Sequence, residues 1–160
     1  MVAGYKADVL SSHLKKVYPS IKIIINSRYE KTNNMYSLFL VRTYVCGQEF
    51  LLMNSDVYFD RSIIVGMLEG YDASKIACDR SQYLDESMKI TLNNGKINHI
   101  SKTIAEPDHF AVSIDIYRIS SKDSYTLFKE IEDTILTRHE ENSWTEVALD
   151  KALCKTNFTP

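Results

Sequence analysis

Two short stretches of the chain carry residue types suited to binding a charged ligand. In "FLLMNSDVYFD", an apolar run from Phe50 to Met53 stops abruptly at Asn54-Ser55-Asp56. A carboxylate just past a strand end can hold a hard cation. Magnesium takes oxygen ligands and often needs only one or two carboxylates, with phosphate and water completing its shell. The same aspartate could equally serve as a turn or N-cap residue. In "YEKTNNMYSL", Asn33 and Asn34 offer both donors and acceptors and so could read the edge of a base. Their position before Met35 and Tyr36 also makes them a routine helix start.

A third stretch, "DESMKITL", places Lys89 inside a strand. A lysine aimed into a cleft would balance phosphate charge. By strand period alone it faces solvent. Other chemistries find no support. His13, His99, His109 and His139 show no metal-ligand spacing such as HExxH. Ser55 lies outside any G-x-S-x-G elbow. Cys46, Cys78 and Cys154 form no CxxC pair, and read as reduced, buried thiols of a cytoplasmic protein.

The totals narrow the class. The chain has 160 residues, suited to one domain, and 19 basic against 21 acidic side chains. This balance lacks the basic excess of a nucleic-acid footprint. No run approaches the ~18 apolar residues of a membrane-spanning helix. Ten tyrosines are the one excess, and scattered tyrosines are half-buried packing residues.

These residues need a frame. Val2-Ala3-Gly4-Tyr5 reads as the tail of a strand, and Ala7, Leu10, Leu14 and Val17 repeat at helical spacing before Pro19. Ile21 to Ile25 is a β-branched strand, and Met35 to Val45 is a buried helix closed by Cys46-Gly47. Phe50–Met53 is a strand, and Asp60 caps a helix with Ile63, Ile64, Met67 and Leu68 that ends at Gly70. Residues 75–78 form a short strand, 88–102 a hairpin about Asn93-Asn94-Gly95, and 109–120 a further strand. Leu127, Phe128, Ile131 and Ile135 mark an amphipathic helix, and Trp144, Val147, Ala148 and Leu149 a last one. Strand and helix alternate in the first half, which favours a mostly parallel sheet covered on both faces. The hairpin adds antiparallel strands. The fold expected is a three-layer α/β/α domain with a mixed, mostly parallel sheet. In such folds ligands sit outside the carboxyl ends of strands, where Asp56 stands.

The ordered segments "VAGYKADVL", "SRYEKTNNMYSLFLVRTYV", "FLLMNSDVYFD", "ACDRSQYLDESMKITLNNGKINHISKTI" and "NSWTEVAL" resemble the nucleotidyltransferase family. The likeness is to its phosphocholine cytidylyltransferase-like and NDP-sugar pyrophosphorylase-like members, which share the GT-A-like fold. It runs from about Val2 to about Leu149. It implies transfer of a nucleoside monophosphate, CMP for preference, from an NTP to a phosphorylated sugar or alcohol, with magnesium and release of pyrophosphate. It implies Asp56 as a metal ligand, and Asn33, Asn34 and Ser37 on the base side of the pocket. It further implies Lys89 and Lys102 as catalytic lysines near the acceptor or the phosphates, and Trp144 and Glu146 bordering the acceptor pocket.

Two elements of the family pattern have no match. The family opens with a strand and a glycine-rich phosphate-binding loop, whereas "MVAGYKADVL" matches its second strand. It closes with a second metal-binding aspartate, whereas this sequence stops at "CKTNFTP". An ammonium-bearing acceptor wants an aromatic cage, and Met88 stands where an aromatic is expected. The expectation is therefore a truncated, impaired nucleotidyltransferase-like domain that releases no appreciable pyrophosphate alone. A homo-oligomer or a complementing chain could supply the rest. The alternative is a non-catalytic oligomerisation or interaction module derived from that fold. A GT-A glycosyltransferase is disfavoured, because Asn54-Ser55-Asp56 carries one carboxylate where D-x-D enzymes carry two.

Overall fold

Local signals set most of the element boundaries. In the computed structural model, which describes residues 1–71 and 73–160, the first half runs β1 (Val2–Ala3), α1 (Ala7–Val17), β2 (Ile24–Ile25), α2 (Asn34–Leu40), α3 (Arg42–Val45), β3 (Phe50–Met53) and α4 (Arg61–Leu68). The second half runs β4 (Ser74–Asp79), β5 (Lys89–Asn93), β6 (Lys96–Ser101), β7 (Ala111–Ile119), α5 (Ser121–Glu132), α6 (Thr145–Leu153) and β8 (Phe158–Thr159). Asp60 caps α4 by accepting the amide of Ser62 at 2.8 Å. Asn94 and Gly95 both adopt positive φ, as the tight β5–β6 turn requires.

Three elements differ from expectation. The strand expected over 21–25 narrows to Ile24–Ile25, because its partner β1 offers only Val2 and Ala3 for pairing. The helix expected over 35–45 divides at Val41, whose amide turns back to the Leu38 carbonyl. β8 pairs parallel with β4, and a strand so short carries no periodic signal.

The larger sheet has the order β6-β5-β7-β4-β8, with β3 also paired to β7. β7 runs antiparallel to β3, β4 and β5, β5 runs antiparallel to β6, and β4 parallel to β8. So β3, β4, β5 and β8 point one way, as a mostly parallel α/β sheet requires. The neighbouring pairs are nevertheless largely antiparallel, because β7 is inserted among them. β1 and β2 form a separate parallel pair.

The sheet is covered on both faces, as expected. On one face Met35, Leu38, Leu127, Phe128, Ile131 and Leu149 pack against Ile76, Ile90, Tyr117 and Ile119. On the other, Met67, Ile63 and Ile64 of α4 pack on Ala77, Ile114 and Ile116. The alternation Ile76/Ala77 and Ile116/Tyr117 assigns adjacent residues to opposite layers, as strand geometry dictates. Among the described residues, no helix is long and apolar enough to cross a membrane.

Candidate active site

The carboxyl end of β3 opens into a cavity of about 420 Å³. Asn54, Ser55 and Asp56 form one wall, and Asn33 and Asn34 a second. The loop before β5 contributes Glu86, Ser87 and Met88, the end of the hairpin Lys102, β7 Ser113 and Asp115, and the start of α6 Trp144 and Glu146.

The asparagines hold the frame as well as face the cavity. Asn33 caps α2, its side-chain oxygen accepting the Asn34 amide at 2.8 Å. The Asn34 side-chain oxygen accepts the Thr145 amide at 2.8 Å and so ties the start of α2 to the start of α6. Both residues therefore cap helices where they border the site.

Asp115 is a site residue that sequence reasoning missed. Between β4 and β7 the register slips, with Ile76 opposite Tyr117 but Cys78 opposite Ser113. The extra residues of β7 bulge at this point. Bulges re-aim side chains and are common beside functional sites. Asp115 takes the left-handed conformation, φ 59°, and its carbonyl accepts the Asn54 amide at 3.3 Å. This joins the ends of the two segments that carry Asp56 and Asp115. The polar alternation Ser113, Asp115, Tyr117 within "VSIDIYRI" was the available signal.

Beneath Asp115 lies a buried polar pair. The Tyr117 hydroxyl lies 2.7 Å from Glu146 Oε1 and 3.2 Å from Asp115 Oδ1, and accepts from Ser113 Oγ at 3.3 Å. Its single proton goes to the closer Glu146. Glu146 is only 4% exposed. Burial raises its carboxyl above the ordinary glutamate range, against the lowering effect of the Tyr117 hydrogen bond. Burial, then the Glu146 and Asp115 charges, push the Tyr117 hydroxyl well above the usual tyrosine value.

Lys102 and Trp144 meet at the mouth. The Lys102 ammonium sits 4.3 Å from the centroid of the indole and 3.7 Å from Glu86 Oε2. Met88 lines the cavity, and Trp144 is its aromatic residue.

Two expected site residues sit elsewhere. Lys89 is fully buried, and its ammonium donates to the carbonyls of Leu84 at 3.2 Å and Asp85 at 2.9 Å, over the Tyr83 ring. Its work is to hold the loop that leads to Glu86–Met88. It is closed off from solvent and is not among the residues that line the cavity. Ser37 lies one turn along α2, receives a hydrogen bond from Asn26 at 3.4 Å, and lines a different groove.

The donors facing the cavity are carboxylate, amide and hydroxyl oxygens, a set that suits magnesium and not softer metals. Among the described residues, no three Asp, Glu, His or Cys side chains converge closely enough to hold an ion unaided. The site thus fits an ion that takes one or two carboxylates and completes its shell from phosphate and water.

No protein-family model matches the chain. It is 23% identical over 117 residues to the CTP:phosphoglutamine cytidylyltransferase of Campylobacter jejuni, a match covering 64% of this chain and 46% of that protein. Its fold is that of the inositol-1-phosphate CTP transferase of T. maritima, with a TM-score of 0.74, 18% identity, and coverage of 99% of this chain and 64% of that one. The CTP:phosphocholine cytidylyltransferase of Streptococcus pneumoniae aligns with a TM-score of 0.72 and 15% identity over 99% of this chain and 65% of that one. The GT-A-like nucleotidyltransferase fold expected from the sequence is thus the observed one. The chain spans about half the length of its curated relative and about two thirds of these solved ones.

Proposed function

We propose that this chain carries the nucleotide and acceptor site of a nucleotidyltransferase, one that moves CMP from CTP to a phosphorylated small molecule. The observation that carries this reading is convergence. Asn33-Asn34, Asn54-Ser55-Asp56, Lys102, Asp115 and Trp144 with Glu146 are distant in sequence yet line one cavity at a strand end. All three relatives described above are named for CTP and a phosphorylated acceptor.

In this reading Asn33 and Asn34 face the base. Asp56 and Asp115 are the carboxylates that would hold a magnesium ion, which would offset phosphate charge. Lys102 faces the acceptor phosphate, and Trp144 and Glu146 border the rest of the acceptor. A phosphate oxygen of the acceptor attacks the α-phosphorus, and the bond to the leaving pyrophosphate breaks. The protein supplies no nucleophile. Its work is positioning and charge complementarity. Free thiols at Cys46, Cys78 and Cys154 fit a reducing, cytoplasmic setting, although Cys154 is exposed and the other two are half-buried.

Calorimetry tests this reading. The wild-type chain binds CTP in a magnesium-dependent manner, and Asp56→Asn weakens that binding by about tenfold or more, the loss of one charge-assisted contact. Equal binding by both proteins removes Asp56 from the metal site. No binding by wild type overturns the reading.

A further inference from the structure

Lys102 and Trp144 meet at the mouth of the cavity, and each is fixed from its own backbone. Lys102 follows the last residue of β6. There Ser101 Oγ accepts the Thr103 amide at 3.1 Å and turns the chain tightly about Lys102. Trp144 precedes α6, whose Thr145 amide is held by the Asn34 side chain at 2.8 Å. From these anchors the Lys102 ammonium reaches the indole, 4.3 Å from the ring centroid. Indole offers the best of the aromatic faces to a cation. Glu86 lies 3.7 Å from the same ammonium, next to the Leu84 and Asp85 carbonyls that buried Lys89 holds. Glu86 is exposed, so this ion pair adds little energy. The chain thus places its own cation on the indole.

The other charges around the cavity are committed as well. Glu146 is buried and accepts the Tyr117 hydroxyl at 2.7 Å. Burial raises its carboxyl, so the fold disfavours its anionic form. Asp56 and Asp115 stand on the side assigned to the metal ion. Recognition of an ammonium calls for aromatic faces around it. Among the described residues that line the cavity, Trp144 is the sole aromatic, and Lys102 covers a face of it. Ser87 and Glu146 are left to offer hydrogen bonds, and Met88 an uncharged surface. Hydroxyl groups, which both donate and accept, pair with such partners.

We infer that Lys102, stacked on Trp144, determines the acceptor class: a phosphorylated polyhydroxyl compound that carries no cationic group. The Lys102 ammonium meets the acceptor phosphate. Its place on the indole denies that face to an ammonium, and its charge repels one. This inference rests on the nucleotidyltransferase reading and adds which acceptors that site admits.

Calorimetry and the NMR signal of the Trp144 indole test it. With magnesium–CTP present, the probes are glycerol 3-phosphate and phosphoethanolamine, which are similar in size but differ in hydroxyl against ammonium. The wild-type chain is expected to bind glycerol 3-phosphate about tenfold more tightly. Lys102→Met, at a partly exposed position, is expected to erase that preference, and Lys102→Arg to keep it. Tetramethylammonium, added without nucleotide, is expected to shift the indole signal of Lys102→Met and to leave that of wild type unchanged. Three results overturn the inference. Wild type binds phosphoethanolamine equally well or better, tetramethylammonium shifts both indole signals alike, or neither phosphate binds while magnesium–CTP does. Absence of magnesium–CTP binding overturns the nucleotide reading instead. The tetramethylammonium comparison needs no nucleotide and still decides whether Lys102 closes the indole to a cation.

Discussion

Asp115 stands in the left-handed region at φ 59°, within a strand. A non-glycine residue held there costs about 1–3 kcal/mol, and such strain collects at functional sites. Asp115→Gly removes that cost. The variant is expected to be more stable by about 1 kcal/mol in chemical denaturation, yet to bind magnesium–CTP about tenfold more weakly or worse. Equal stability with intact binding would remove Asp115 from the site. Glu146 gives a pH signature. Its carboxyl is raised in the folded protein by burial, so folding favours the protonated form. The associated stability is complete below the ordinary glutamate value and is lost as pH rises through the higher folded value. Glu146→Gln, which keeps an acceptor for the Tyr117 hydroxyl, removes this loss. Its stability relative to wild type is expected to rise from acid toward neutral pH. A flat difference across that range would contradict a buried, raised carboxyl.

At the scale of elements, the legible parts were those with local signals. The apolar run Phe50–Met53, the Asp60 cap and the Asn94-Gly95 turn each state their structure within a few residues. The position of Asp56 past a strand end followed from the first of these. Less legible was anything decided by a distant partner. The bulge that aims Asp115 exists because β7 pairs with β4 in two registers while the Asp115 carbonyl accepts the Asn54 amide. Lys89 has the charge for a phosphate but goes inward, because the carbonyls of Leu84 and Asp85 lie within its reach. Strand period placed it on a face and gave no hint of a loop folding back over it. Ser37 follows Asn33 and Asn34 closely in sequence and lies on the Asn34 side of α2, but about 4.5 Å farther along the axis, in the adjoining groove that Asn34 also lines.

At the scale of the molecule, a mixed sheet with helices on both faces brings six separated segments to one strand-end cavity. The same sheet leaves an apolar gap between β1 and β3, so the site wall carrying Asn54–Asp56 continues a strand with an open edge. The cavity and this groove share Asn34, Asn54 and Ser55. The central claim is that magnesium–CTP occupies the cavity beside Asp56. Its most direct test is the set of backbone and indole NMR shifts recorded as magnesium and CTP are added. Trp144 is the single tryptophan, so its indole signal reports the mouth without ambiguity. The account predicts magnesium-dependent shifts centred on Asn33, Asn34, Ser55, Asp56, Asp115 and Trp144. Shifts confined to the β1–β3 groove, or a spectrum that magnesium and CTP leave unchanged, would contradict it.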